Sequence, residues 1–197
     1  RNDANNMVSV SIDIENIEKY IRKKRAEGLK GFGLLHVMLA TYVRTVGQRP
    51  GVNRFISGQK LYARNDIQVM MTIKKEMKLD AQETVVKAYY SPSDSPEEVY
   101  KIFNKLVEEN KAEGDQNGMD SVARILNYIP GLLLKFAVWF LNLLDYFGLL
   151  PKFLLKVSPF HGSFFITSMG SLGIPAIYHH LYNFGNVPLF CSYSAKR

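Results

Sequence analysis

Apolar and polar positions change rhythm several times along the chain, and each change marks an element. Val8, Val10 and Ile12 alternate with Ser9 and Ser11, the period-two pattern of a half-buried strand. Asp13 stands where a cap is needed. Ile14, Ile17 and Ile21 then fall on one face of a helix that Gly28 can stop. From about Phe32 to Val46 the chain is apolar on most sides, so a second, buried helix is expected, ended by Gly47 to Pro50. Phe55-Ile56, a turn at Ser57-Gly58, and Lys60-Leu61-Tyr62 spell a hairpin. Ile67, Val69, Met71 and Ile73 alternate, and Glu83 to Tyr90 is rich in Thr and Val, so two more strands are predicted.

Ser95-Pro96-Glu97-Glu98 is a helix start, with Ser95 as cap and Glu98 closing a capping box. Val99, Phe103, Leu106 and Val107 form the inner face of that helix. Glu113 to Ser121 is polar and contains glycine, which reads as a loop. Val122 to Val157 is helical and strongly apolar, interrupted by Pro130, Lys135, Asp145 and Pro151. None of its apolar runs approaches the ~20 residues of a membrane span. Three readings stay open for it: buried helices or a subunit interface, a hairpin on a membrane surface, or a span. Ser163 to Thr167 is a strand leading into the turn Met169-Gly170-Ser171-Leu172-Gly173, and Val187 to Ser194 is the last strand. Strands and helices are segregated rather than strictly alternating, so the fold class is α+β with a mixed sheet and an apolar helical insert at about 122–157.

Composition narrows this picture. A chain of 197 residues holds one sizeable core, so residues 1–197 are read as a single domain. The formal charge of +7 suits nucleic acid, an anionic membrane or a polyanionic small molecule. No helix-turn-helix, aromatic RNA-binding or zinc-finger pattern accompanies the cluster Arg22-Lys23-Lys24-Arg25. That cluster reads as a solvated helix face, and nucleic acid is not expected as a partner. The single cysteine, Cys191, rules out an internal disulfide and points to a reducing, cytoplasmic compartment. The sequence opens at Arg1 and closes at Lys196-Arg197 inside a predicted strand, so both ends are expected to be cut short.

The chemistry is sparse. There is no phosphate-cradling glycine loop, no Gly-x-Ser-x-Gly elbow and no Cys/His spacing for zinc, so no metal is expected. Glu97-Glu98 and Glu108-Glu109 read as solvated. His36 belongs to an apolar helix and His161 to a loop. The adjacent His179 and His180 either pair with a hydroxyl as a base or belong to a structural loop. The sharpest local signal is Gly162 to Gly173, where Ser163, Thr167, Ser168 and Ser171 crowd a strand end beside Gly170 and Gly173. Glycines there allow close approach of a ligand, and hydroxyls fixed on a strand can stabilise an oxyanion.

Gly162-Ser163-Phe164-Phe165-Ile166-Thr167-Ser168-Met169-Gly170-Ser171-Leu172-Gly173 resembles, without a gap, the Gly-Thr-Phe-Thr-Ile-Ser-Asn-Leu-Gly-x-x-Gly segment of 2-oxo acid dehydrogenase dihydrolipoyl acyltransferases. Arg49-Pro50-Gly51-Val52-Asn53 resembles that family's Pro-x-x-Asn after the long helix, and Gly58 to Tyr62 its short hairpin. The early strand and helix and Glu83 to Asn104 follow the family's order, so the likeness covers most of the chain.

The resemblance implies a chloramphenicol acetyltransferase-like two-layer sandwich that forms homotrimers. Coenzyme A or acyl-CoA and a small-molecule or lipoyl-type acceptor would enter a channel between subunits from opposite sides. It implies acyl transfer from CoA to a thiol, amine or hydroxyl, with Thr167 at the oxyanion position and Ser168 as its neighbour and alternative. The family's base lies in His-x-x-x-Asp-Gly, which this sequence lacks, and the motif is expected beyond Arg197 if the chain continues. His179 begins a His-x-x-x-Asn with Asn183, nearer to the Gly170 turn and without the following Gly, and it is the candidate base within these residues. The apolar stretch 122–157 also departs from the family's shorter, more polar link. A protein that kept the fold without the base, as an oligomeric scaffold or binding module with possible membrane contact through 122–157, is the alternative.

Overall fold

A computed structural model of the protein describes residues 5–74, 83–112, 127–170 and 173–196. In the first helix, α1 (Glu15–Ala26), Ile14 and not the expected Asp13 takes the cap position; Asp13, one residue before it, accepts the Glu15 N–H on Oδ1 at 2.9 Å. Glu15 and Glu18 lie in its first turn and Lys23, Lys24 and Arg25 in its last, which suits the helix dipole. The basic cluster is only partly a solvated face. Lys24 Nζ lies 2.7 Å from both Glu27 and Glu97, and Arg25 Nε donates to the Phe32 carbonyl at 2.6 Å.

The second helix, α2 (Leu34–Gln48), begins two residues later than its apolar pattern, because Gly33 takes the cap position. Its buried side, Leu39, Val43 and Val46, meets α3 (Pro96–Ala112) through Val99 and Phe103. The capping box of α3 forms as expected: Glu98 N donates to Ser95 Oγ at 3.3 Å, and Ser95 N to Glu98 Oε2 at 2.7 Å.

A short hairpin of β1 (Arg54–Ser57) and β2 (Lys60–Ala63) stands apart from a four-stranded mixed sheet. In that sheet β3 (Ile67–Lys74) runs antiparallel to β4 (Glu83–Tyr90) and parallel to β5 (Phe164–Ser168), which is parallel to β6 (Phe190–Tyr193). The spatial order is β4-β3-β5-β6. Alternation along the strands gives the sheet two faces. Ile67, Val69, Ala88, Tyr90, Phe164 and Ile166 close the core against α2 and α3. Met70, Lys87 and Phe165, which are register partners, carry the opposite face. The last strand is shorter than the apolar run from Val187, since Pro188 has no N–H to give a ladder.

Two expectations are corrected. Residues 5–14 contain no strand, and Val8, Val10 and Ile12 are exposed. Alternation predicts a face to be buried, but a strand also needs a neighbour to share its hydrogen bonds, and none of the described strands lies beside this segment. Within 122–157, the helices α4 (Gly131–Tyr146) and α5 (Lys152–Val157) form where expected, each preceded by its proline, but neither has a buried residue. Leu150, between them, is the buried anchor. The reading of this stretch as buried helices therefore fails for the single chain. The expected loop at 113–121 and the start of the insert, 122–126, lie outside the described residues.

Candidate functional site

The sheet face opposite the helices is covered by the segment that follows β5, leaving a cavity of about 410 Å³. Phe165 and Thr167 reach it from β5, Thr72 from β3, Val85 from β4 and Phe190 from β6. Ile177, His179, His180 and Tyr182 line its other wall, and Phe160 closes one end. The covering segment is tied down at both ends. The Ile177 N–H donates to Ser192 Oγ at 3.2 Å, and the Asn186 N–H to the Phe160 carbonyl at 2.8 Å.

Backbone shape at two glycines makes this possible. Gly185 has φ +84°, and a Cβ there would fall 2.0 Å from the Phe160 carbonyl oxygen. Gly162 lies against Met70, whose sulfur would sit 2.1 Å from an added Cβ. The adjoining wall is polar and locked. Arg64 donates to Asn186 Oδ1 and lies 4.2 Å over the Phe55 ring, and burial pulls its guanidinium down to about 10.

Thr167 and His179 meet in this cavity. The His179 ring stacks on Phe190 at 4.6 Å, and Phe190 stacks on Phe165 at 5.3 Å, so an aromatic column carries the imidazole over β5 and β6. His179 Nδ1 lies 2.6 Å from the His180 carbonyl oxygen. A carbonyl only accepts, so Nδ1 carries the hydrogen and Nε2 is left with the lone pair. Ser168 is not in the cavity lining. It is the register partner of Tyr193, and its hydrogen bond works against the burial that raises the Tyr193 phenol.

The other histidines have structural partners. His36 Nδ1 accepts the Gly33 N–H at 3.1 Å and Nε2 faces Asn104 Oδ1 at 3.3 Å. His161 is 2% exposed and joins Ser158 and Asp145. Ser163 is also structural: its Oγ accepts the Gln68 N–H at 3.0 Å, and its carbonyl accepts the Tyr42 hydroxyl at 3.2 Å. Two features of the site face lie outside what the sequence pointed to. One is the aromatic column, foreshadowed only by Phe165 alternating with Ile166. The other is Lys87, whose amine donates at 2.7 Å to the Leu155 and His161 carbonyls and is pushed down by burial to about 8. Its residue type alone says nothing of this. Among the described residues no cluster of His, Cys, Asp or Glu could hold a metal ion.

No family model and no curated protein matches the chain. Solved structures do. Dihydrolipoamide acetyltransferase of Azotobacter vinelandii, studied for the catalytic roles of a serine, a histidine and an asparagine, superposes with a TM-score of 0.54. The fold is similar to part of that of a dihydrolipoamide acetyltransferase. Identity to that structure is 14%, and the match covers 93% of this chain and 59% of the other. The cubic core of a pyruvate dehydrogenase multienzyme complex gives a TM-score of 0.53 at 14% identity, with the same two coverages. The α+β class, the mixed sheet and the chloramphenicol acetyltransferase-like architecture are thus established. The chain spans about 59% of the length of those acetyltransferase structures.

Proposed function

We propose that this domain transfers an acyl group between coenzyme A and a thiol, amine or hydroxyl acceptor at the Thr167–His179 cavity. The observation that carries the reading is that Thr167, the hydroxyl at the resembling oxyanion position, and His179, the leading histidine of the His-x-x-x-Asn segment, line the same cavity on an acetyltransferase-like fold. His179 Nε2 takes the acceptor's proton, and the acceptor attacks the thioester carbonyl carbon. The carbonyl electron pair moves onto oxygen, where the Thr167 hydroxyl donates to it. Collapse of the tetrahedral intermediate expels the CoA thiolate, which recovers the proton from the imidazolium. One such donor lowers the barrier by about 3 kcal/mol.

Among the described residues the cavity lining holds no lysine or arginine, which suits the acyl and thioester end of acyl-CoA and not its phosphates. A homotrimer, a lipoyl-type acceptor and a cytoplasmic setting belong to the same reading, supported by the fold and by the free thiol of Cys191. The test is acyl-CoA turnover with small thiols, amines and alcohols, repeated with Thr167→Val and His179→Ala. Turnover lost in both variants supports the assignment. Folded wild-type protein that turns over no acyl-CoA with any acceptor favours a non-catalytic scaffold.

A further inference from the structure

We propose that the α4–α5 hairpin lies on the surface of an anionic lipid bilayer. The proposal stands apart from acyl transfer and does not depend on it. Helix α4 has two unequal sides. Leu134, Ala137, Leu141 and Leu144 are half-buried. On the other side Leu132, Phe136, Trp139 and Leu143, spaced i, i+4, i+7 and i+11, form one exposed stripe. Leu132 is 84% exposed, Phe136 61% and Trp139 57%. The stripe continues past the helix through Tyr146, Phe147 and Leu149 to Phe153 at the start of α5. An apolar surface this continuous marks an interaction site.

Charge selects the occupant. The described insert, 127–157, carries Lys135, Lys152 and Lys156, all exposed, and its sole acid is Asp145. Asp145 faces inward, 3.1 Å from His161 Nε2. Among the described residues of the insert, the exposed charges beside the apolar stripe are therefore all basic. That suits anionic headgroups, and it repels an identical face on a second copy of the chain. Tyr128, Trp139 and Tyr146 are also exposed, and such rings pair an apolar body with a polar edge, as the headgroup level requires.

The hairpin rests on the bilayer and does not cross it. At 16 residues α4 is about 24 Å long, short of the ~30 Å hydrocarbon core. Among the described residues no helix is long and apolar enough to cross a membrane. Pro159 and Phe160, directly after α5, border the cavity, so docking would bring its mouth beside the lipid.

Trp139 is the single tryptophan, which makes it a reporter of this face. Full-length protein is titrated with phosphatidylcholine vesicles and with vesicles that also contain phosphatidylglycerol, at low and high salt. Trp139 emission and flotation with the vesicles are read together. A blue shift with flotation on the anionic vesicles is expected, partly retained at high salt because an apolar contact is not screened. The triple change Lys135→Glu, Lys152→Glu, Lys156→Glu is expected to weaken binding at least about tenfold. Phe136→Asp, at an exposed position, is expected to abolish the shift with circular dichroism unchanged. The proposal is overturned if Trp139 stays in a water-like environment with every vesicle. It is equally overturned if its emission is already blue-shifted in vesicle-free protein that sediments as an oligomer and gains nothing from lipid, which would assign the face to a second copy.

Discussion

His161 Nε2 lies 3.1 Å from Asp145 Oδ1, and this contact fastens the exposed hairpin to the sheet. Asp145 occupies the last turn of α4, while His161 stands three residues before β5. The other ring nitrogen meets Ser158 Oγ at 2.8 Å, and the Asp145 carbonyl accepts the Ser57 hydroxyl at 2.8 Å. A hydrogen bond to a charged group is worth about 1.5–3 kcal/mol. Asp145→Ala should therefore raise amide exchange across 131–157 by more than tenfold and leave the protection of β3 and β4 nearly unchanged. Equal loss of protection in the sheet would mean that the contact holds the whole core and not the hairpin.

His36 predicts how stability responds to acid. Burial holds its imidazole below the ordinary 6.5, against the Asn104 hydrogen bond, which works the other way. The Gly33 N–H already occupies Nδ1 as a donor, so protonating that nitrogen breaks the start of α2. A depressed folded value means the unfolded chain binds more protons just below 6.5, and stability falls as pH drops through that range. Urea midpoints measured from pH 7.5 to 5.0 should decline, and His36→Phe should flatten the slope even though it lowers the midpoint itself. A variant with the wild-type slope would remove His36 as the cause.

Lys87 acts on the alkaline side. Burial brings its amine down to about 8, and the neutral amine still has hydrogens for the Leu155 and His161 carbonyls. Between about pH 8 and 10 the unfolded chain holds the extra proton, so this residue's contribution to stability rises with pH. NMR titration of the Lys87 side chain should give a midpoint near 8, and a midpoint at the free-lysine value would show that the amine is solvated.

The sequence was most informative where chemistry is local. Ser95 and Glu98 form their capping box, because a helix start depends on residues a turn apart. The strands from Ile67 and from Glu83 follow alternation, because both have partners within the chain. Val8 to Ile12 has the same alternation without such a partner among the described residues, and the pattern could not report that. Along α4, apolar residues predicted burial but could not say against what. At the site, Thr167 and Ser168 look interchangeable in sequence. The period of a strand separates them, sending one into the cavity and the other toward Tyr193.

Gly185 tests whether the cavity wall is as tightly set as it looks. Its φ of +84° disfavours any side chain, and the site for a Cβ is 2.0 Å from a backbone oxygen that cannot turn aside. Gly185→Ala should cost at least about 2 kcal/mol, combining a strained backbone with overpacking. Thermal unfolding checks the cost. A shift below one degree would mean that the segment moves freely to accommodate the methyl group.

The two neighbouring hydroxyls give the sharpest test of the proposed chemistry. If Thr167 donates to the oxyanion, Thr167→Ser keeps a donor on the same strand position and should retain most of the turnover. Thr167→Val keeps the shape, loses the donor, and should lower kcat by about 100-fold or more with KM little changed, since the interaction forms in the transition state. Ser168→Ala reverses the pattern: it removes a partner of Tyr193 on the other face, so a loss of stability is expected with turnover largely intact. Steady-state kinetics and thermal unfolding on the three variants separate these outcomes. Turnover that disappears with Ser168→Ala and survives Thr167→Val would move the oxyanion site off this face of the sheet.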